Sequence, residues 1–196
     1  MEKKRELDLK ESKWEWMRST IVDAANTVIN EKGWLNVSMI DIANAVGTSK
    51  GTLYNYFNDK QDILLALGAQ AYQKLNQILE KNKNSNTPGI DELQRIGRSY
   101  VKFFSDHEVY REVLSKINEL QILGEIPPPQ ISKRISQKTK KSGQNSFSQE
   151  IVLGKKDPRR NLLEYNIQVI KFVKSWRGTV IGAIQDGTVR NDIDPT

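Results

Sequence analysis

The sequence predicts an all-α protein in two parts, an N-terminal three-helix head and a larger helical body. Three observations carry that prediction. Apolar residues recur at helical spacing along most of the 196 residues. Alternating β-branched runs of the strand type are nearly absent. Near Gly47, two short helical patterns are joined by a tight turn, the arrangement of a helix-turn-helix.

From Trp14 to Lys32, the residues Ile21, Ala24, Ala25, Val28 and Ile29 form an apolar stripe, and Gly33 marks its C-terminal stop. Ser38 is the predicted cap of a second helix with Met39, Ile42, Ala43 and Val46 at i, i+3, i+4 and i+7. Gly47 ends it, and Thr48 and Ser49 offer the next cap. Leu53 and Phe57, four apart, mark the buried side of a third helix. Asn58 and Asp59 cap a fourth, long helix whose apolar side carries Ile63, Leu64, Leu67, Ala71, Leu75, Ile78 and Leu79.

The stretch Asn82–Gly89 is rich in turn formers and reads as a linker. Leu93, Ile96, Tyr100, Phe103 and Phe104 outline a fifth helix; Val109, Tyr110, Val113, Leu114, Ile117 and Leu120 outline a sixth. Pro127-Pro128-Pro129 must interrupt regular helix. The segment 130–158 is polar, basic and poor in apolar residues, and a last long helix is predicted over 161–185. The resulting boundary places a head at 1–62 and a body at 63–196.

Composition bounds the function classes. Without cysteine, thiolate metal sites, disulfides and a catalytic thiol are excluded. A single histidine, His107, leaves little from which to build a transition-metal site or a nucleophile–base pair, so neither a metal, a cofactor nor an enzyme is expected. The charged start Met1–Glu6 and the lack of any long apolar run predict no signal peptide, no membrane span and a cytoplasmic protein. The net charge of +6 is not the mark of a nucleic-acid surface. Residues 1–60 hold nine basic and nine acidic side chains, and the excess lies in 131–160, which reads as a solvated loop.

The third helix carries the functional signal. Its outward side offers Thr48, Ser49, Lys50, Gly51, Thr52, Tyr54, Asn55 and Tyr56, with Lys60 beyond, and no aliphatic residue. Hydroxyls and main-chain N–H groups at a helix N-terminus suit phosphate oxygens. Gly51 permits close backbone approach, and Thr52 and Asn55 can reach base edges in a major groove about 12 Å wide.

The string Ile42-Ala43-Asn44-Ala45-Val46-Gly47-Thr48-Ser49-Lys50-Gly51-Thr52-Leu53-Tyr54-Asn55-Tyr56-Phe57-Asn58-Asp59-Lys60 closely resembles the signature of the TetR (tetracycline repressor) family. Upstream, Ala24-Ala25, Gly33 and Ser38–Ala43 match as well, so the resemblance covers roughly residues 17–64. It implies an Ω-shaped homodimer with a DNA-binding head and a ligand-binding and dimerisation body. Carried over by position, it implies phosphate contacts at Ser38, Thr48, Ser49, Tyr54, Tyr56 and Lys60. Lys50, Gly51, Thr52 and Asn55 are the implied base-facing positions. It also implies a repressor released from a palindromic double-stranded operator when a small-molecule effector enters the body and the fourth helix moves the heads.

The body resembles that family only in outline and in the string Gly182–Pro195, which in relatives leads into one further helix of the dimer interface; dimerisation through 161–185 is expected. Aromatic and aliphatic residues line most small-molecule cavities, which makes Tyr100, Phe104, Tyr110, Leu114, Ile117, Tyr165, Val169 and Phe172 the candidate pocket. The alternative keeps the DNA-binding head without a small-molecule effector, the protein answering to a protein partner or organising DNA.

Overall fold

The computed structural model describes residues 2–82, 87–129 and 157–190, with side chains from residue 12 onward. Every regular element among them is helical: α1 (Glu2–Lys32), a 3-10 turn (Trp34–Asn36), α2 (Met39–Val46), α3 (Lys50–Leu53), α4 (Lys60–Asn82), α5 (Gly89–Asp106), α6 (Glu108–Ile122) and α7 (Arg160–Gln185). Residues 83–86 of the expected linker and 131–156 of the basic stretch lie outside the described residues, as do 191–196; of the linker's ends, Asn82 closes α4 and Gly89 opens α5.

α1 begins twelve residues before the expected start at Trp14. Residues 2–13 are mostly charged, good helix formers without an apolar stripe, so periodicity carries no signal there. Of the expected stripe, Ile21, Ala25, Val28 and Ile29 are buried and Ala24 is half-buried at its edge. Gly33 ends the helix at φ +74°, its N–H bonded to the Ile29 carbonyl at 2.8 Å. The 3-10 turn that follows buries Trp34, an element that the sequence did not announce.

α4 is the axis of the molecule. Asp59 caps it, accepting from the Asp62 N–H at 2.7 Å. Every residue from Asp62 to Ala69 is buried, so this stretch is enclosed on all sides rather than along one stripe. Its longest contact is with α7, and α1, α5 and α6 cover the remainder. Gly68 makes the enclosure possible: a Cβ there would stand 2.5 Å from Ile117 Cδ1 on α6 and 3.0 Å from the Tyr165 ring on α7. α4 also runs unbroken through position 62, so head and body share one rod.

Between α5 and α6 stands His107, its ring stacked on Phe103 at 4.7 Å and its Nδ1 paired with the Phe103 carbonyl at 2.9 Å. α6 closes on Gly124 at φ +77°, and Pro127–Pro129 are non-helical, as proline requires. At the far end, the turn after α7 caps α5. Asp186 Oδ2 accepts from the Gly89 N–H at 2.7 Å, and Thr188 Oγ1 accepts from the Ile90 N–H at 3.1 Å. No helix among the described residues is long and apolar enough to cross a membrane.

Two glycine substitutions test this packing in opposite directions. Gly68→Ala forces a methyl group against Ile117 and Tyr165 and should destabilise the fold by about 1–3 kcal/mol. Gly97→Ala on α5 meets nothing within 4 Å and should stabilise by about 0.5–1 kcal/mol. Urea midpoints at unchanged slope check both.

Candidate nucleic-acid interface

The helix-turn-helix is assembled by three local devices. Ser38 and Asp41 form a capping box at the start of α2. The Ser38 N–H donates to Asp41 Oδ2 at 2.8 Å, and the Asp41 N–H donates to Ser38 Oγ at 3.2 Å. A hydrogen bond from Lys32, at 2.6 Å, and those from Ser38 hold the Asp41 carboxyl far below the usual carboxylate range. At the other end, Gly47 sits at φ +73°, ψ +33°. The Thr48 N–H reaches the Ala43 carbonyl (2.9 Å) and the Gly47 N–H reaches that of Asn44 (3.1 Å), a Schellman closure that sets the turn angle. Ser49 then caps α3, accepting from the Thr52 N–H at 3.0 Å.

α3 is only Lys50–Leu53; beyond it the chain tightens into single hydrogen-bonded turns rather than continuing as α-helix. The Tyr56 N–H still bonds to the Leu53 carbonyl at 3.0 Å, as does that of Phe57 at 3.1 Å. Those bonds keep Leu53 and Phe57 on one side, where they are 0% and 1% exposed against Ile42, Ala43 and the helices around them. Ser38, Ser49, Lys50, Gly51, Tyr54 and Asn55 are exposed, and Thr48 and Thr52 are half-buried. Tyr54 is 45% exposed, with the Lys50 ammonium 5.7 Å from its ring centre. The structure therefore brings the polar residues of 48–55 to one open surface above a sealed apolar floor.

Two of the predicted residues lean inward. Tyr56 is half-buried, its ring stacked on Trp14 of α1 at 5.7 Å and 29°. Lys60 opens α4, and its ammonium lies 4.2 Å above the Trp34 ring and donates to the Trp34 carbonyl. Burial lowers its pKa. The Trp34 N–H donates in turn to Glu112 Oε1 on α6 at 2.8 Å. Sequence reasoning missed the roles of Trp14, Trp34 and Glu112, because their partners lie 42, 26 and 78 positions away and no local spacing reveals such contacts.

Beneath this surface, a buried polar cluster fastens the head to α7. Asn161, 3% exposed, donates from Nδ2 to Asp62 Oδ1 at 2.7 Å and accepts at Oδ1 from Arg18. Asp62 Oδ2 also accepts from Asn58 N and Nδ2, both at 3.0 Å. Arg18 bonds Glu164 at 2.9 Å and places its guanidinium 5.4 Å from the Phe57 ring. A buried carboxylate and guanidinium need such partners, because an unpaired buried charge is costly.

In the body, the eight candidate pocket residues converge but pack on one another. Ile117, Tyr110, Tyr165 and Val169 are buried; Phe104, Leu114 and Phe172 are half-buried, and Tyr100 is exposed. Tyr72 of α4 completes the group, edge-on to Tyr165 (5.8 Å) and Phe172 (5.5 Å), while Tyr100 meets Phe104 at 4.9 Å. The Tyr110 hydroxyl donates to Gln70 Oε1 at 2.7 Å. A surface recess of about 710 Å³ lies instead between Trp34, Leu35 and the α6 residues Glu112 and Lys116. A second, of about 390 Å³, lies beside Asp23, Lys74 and His107; of the eight, Tyr110 alone borders either. Among the described residues, no group of three or more histidine, aspartate or glutamate side chains could hold a metal ion.

A capped pair of short helices with a polar outer surface, carried on an all-helical body, has the form of a helix-turn-helix. Residues 21–67 match the family described as "Bacterial regulatory proteins, tetR family", so this segment of the chain is similar to the DNA-binding domain of that family. No curated protein matches the chain. Among solved structures, the fatty acid degradation regulator FadR from Bacillus halodurans is similar at 18% identity and a TM-score of 0.59, over 91% of this chain and 73% of that one. FadR from Bacillus subtilis, solved in complex with stearoyl-CoA, is 18% identical with a TM-score of 0.57, over 90% and 76%. The regulator PfmR from Thermus thermophilus is 20% identical with a TM-score of 0.55, over 89% and 75%. At these identities the likeness is one of fold.

Burial pushes the Tyr110 hydroxyl up to about 12, and it also raises Tyr165 and Tyr72. An unfolded tyrosine ionises near pH 10, so above that pH the unfolded chain loses protons that the folded chain keeps. The buried phenols stabilise fully below pH 10, and stability should fall as pH rises from about 10 towards 12. Tyr110→Phe should shallow that fall in thermal melts across the range; a fall of equal steepness would place the alkaline sensitivity elsewhere.

Proposed function

We propose that the protein is a transcriptional repressor that binds a palindromic operator as a homodimer and is released by a small-molecule effector. The observation that supports this reading best is the open polar surface of residues 48–55 over the sealed Leu53 and Phe57. In this reading Thr48, Ser49, Tyr54 and Tyr56 grip phosphates beside the major groove, joined by Ser38 and Lys60. Lys50, Gly51, Thr52 and Asn55 face the bases. Ser38 and Lys60 each exchange a partner on binding. The Ser38 hydroxyl turns from Asp41 Oδ2, 2.5 Å away, to a phosphate, and Lys60 leaves the Trp34 carbonyl. A phosphate beside the partly desolvated Lys60 ammonium favours its charged form.

The dimer contact lies on α7, where the neighbouring side chains of Val173 and Trp176 are exposed and would stay in water in an isolated protomer. The effector enters among Tyr100, Phe104, Tyr110, Leu114, Ile117, Tyr165, Val169 and Phe172. Because these side chains fill their own space, entry requires repacking around α4, and that repacking is the available signal to the head. The apolar, aromatic chemistry of the cluster suits a long hydrocarbon chain, and stearoyl-CoA, bound by the Bacillus subtilis protein, is the first probe.

Selection from a randomised duplex library tests the DNA reading. Enriched duplexes should contain inverted half-sites about one helical turn apart. Thr52→Ala and Asn55→Ala should change the bases preferred, at about 1–3 kcal/mol for each base interaction removed. Lys60→Ala should weaken all duplexes alike and lower the salt slope by about one unit. No enrichment at low ionic strength would refute the function, and unchanged base preferences would remove Thr52 and Asn55 from the reading surface.

A further inference from the structure

Two neighbouring residues in the first turn of α7 reach opposite ends of the segment that follows the recognition helix. Arg160 extends over the Trp14 ring, its guanidinium carbon 4.7 Å from the ring centre, and is held there by Glu15 at 2.5 Å. Trp14 is in turn stacked on Tyr56. Asn161 reaches Asp62, which holds Asn58 through its N–H and its side-chain amide. The last turn of the recognition element and the start of α4 therefore rest on one point of the C-terminal body, separately from the length of α4.

The chemistry of this stack is directional. A guanidinium lying over an indole is attracted by the negative face of the ring, and the indole's other contact then sets where the tyrosine ring can lie. Tyr56 has a short hydrogen-bonded turn behind it and no regular helix, so its backbone alone does not fix the hydroxyl. The Trp14 ring supplies the missing constraint. Arg160 fixes Trp14 because its own position is set by α7, whose next residue is locked into the buried cluster.

We propose that Arg160 and Trp14 are positioning residues for DNA binding, through which the first turn of α7 sets the Tyr56 hydroxyl against its phosphate. The inference rests on the reading of Tyr56 as a phosphate contact and adds to it a route from the body that bypasses the swing of α4. Any movement that slides the start of α7 by a fraction of a ring width changes the height of the indole and withdraws the hydroxyl. The energy of one cation–π contact is small, so the route tunes affinity rather than abolishing it.

The test uses the full chain and the duplex that the wild-type protein enriches from a randomised library, with affinities measured by anisotropy between about 50 and 200 mM salt. Arg160→Ala and Trp14→Ala should each weaken binding roughly three- to ten-fold. Arg160→Lys, which keeps a cation over the indole, and Trp14→Phe, which keeps a ring, should stay within about two-fold of wild type. In a Tyr56→Phe background, where no hydroxyl remains to be misplaced, Arg160→Ala should cost less than about two-fold further. The salt slope should not change, because no phosphate contact is removed.

Several outcomes overturn the proposal: wild-type affinity in both alanine variants, losses that persist in full beside Tyr56→Phe, or a slope lowered by about one, which makes Arg160 itself a phosphate contact. A melting temperature that falls in step with affinity across the series also overturns it, by making the role structural. Should Arg160→Ala not fold, Arg160→Gln carries the same comparison. If the wild-type protein enriches no duplex, the proposed function falls and this inference with it. If it enriches one and the variants bind it equally, only the inference falls.

Discussion

The constraint on which the rest depends is the burial of Leu53 and Phe57. α3 is four residues long, too short to hold a shape by its own hydrogen bonds, and isolated helices of that length do not persist in water. Its orientation comes from two side chains pressed fully into the floor made by α1, α2 and α4. Once they are seated, the helical period leaves Lys50, Gly51, Tyr54 and Asn55 no direction but outward. The hydroxyl-rich surface is the consequence of an apolar anchor, not of any preference of its own.

Around that anchor, capping chemistry sets angles where packing alone would leave freedom. Gly47 in the left-handed region turns the chain between α2 and α3, and Ser38, Ser49 and Asp59 each satisfy the first free N–H groups of the helix they open. The Asp62, Asn161 and Arg18 cluster does for the head as a whole what the caps do for its parts. Apolar contacts tolerate sliding; a buried carboxylate with three donors does not. A head that must present one register to a groove gains from such a lock, and the lock belongs jointly to α1, α4 and α7.

Much of this was legible in the sequence, for identifiable reasons. The stripes of α1, α2, α4, α5, α6 and α7 follow the helical period, and the stops at Gly33 and Gly47 follow from residues that tolerate positive φ. The outward residues of the candidate interface were legible because they are defined by the inward ones. What escaped detection does not repeat. Residues 2–13 form helix without a stripe, and the 3-10 turn at Trp34 depends on an acceptor 78 positions away. The inward lean of Tyr56 and Lys60 depends on Trp14 and Trp34, whose partners no local spacing reveals. In the body, aromatic residues were recognisable as a cluster, but whether they line a space or fill it is decided by packing across three helices.

The central claim is that the face of residues 48–56 meets DNA while the Leu53 and Phe57 anchor stays seated. Titrating the amide-labelled protein with its enriched duplex measures this residue by residue through NMR chemical shifts. The account predicts that the largest changes gather at Ser38, Thr48–Tyr56 and Lys60, with the side-chain signals of Leu53 and Phe57 still those of a packed core. Changes concentrated on the face of Tyr100 and Trp176, with 48–56 unmoved, would contradict it.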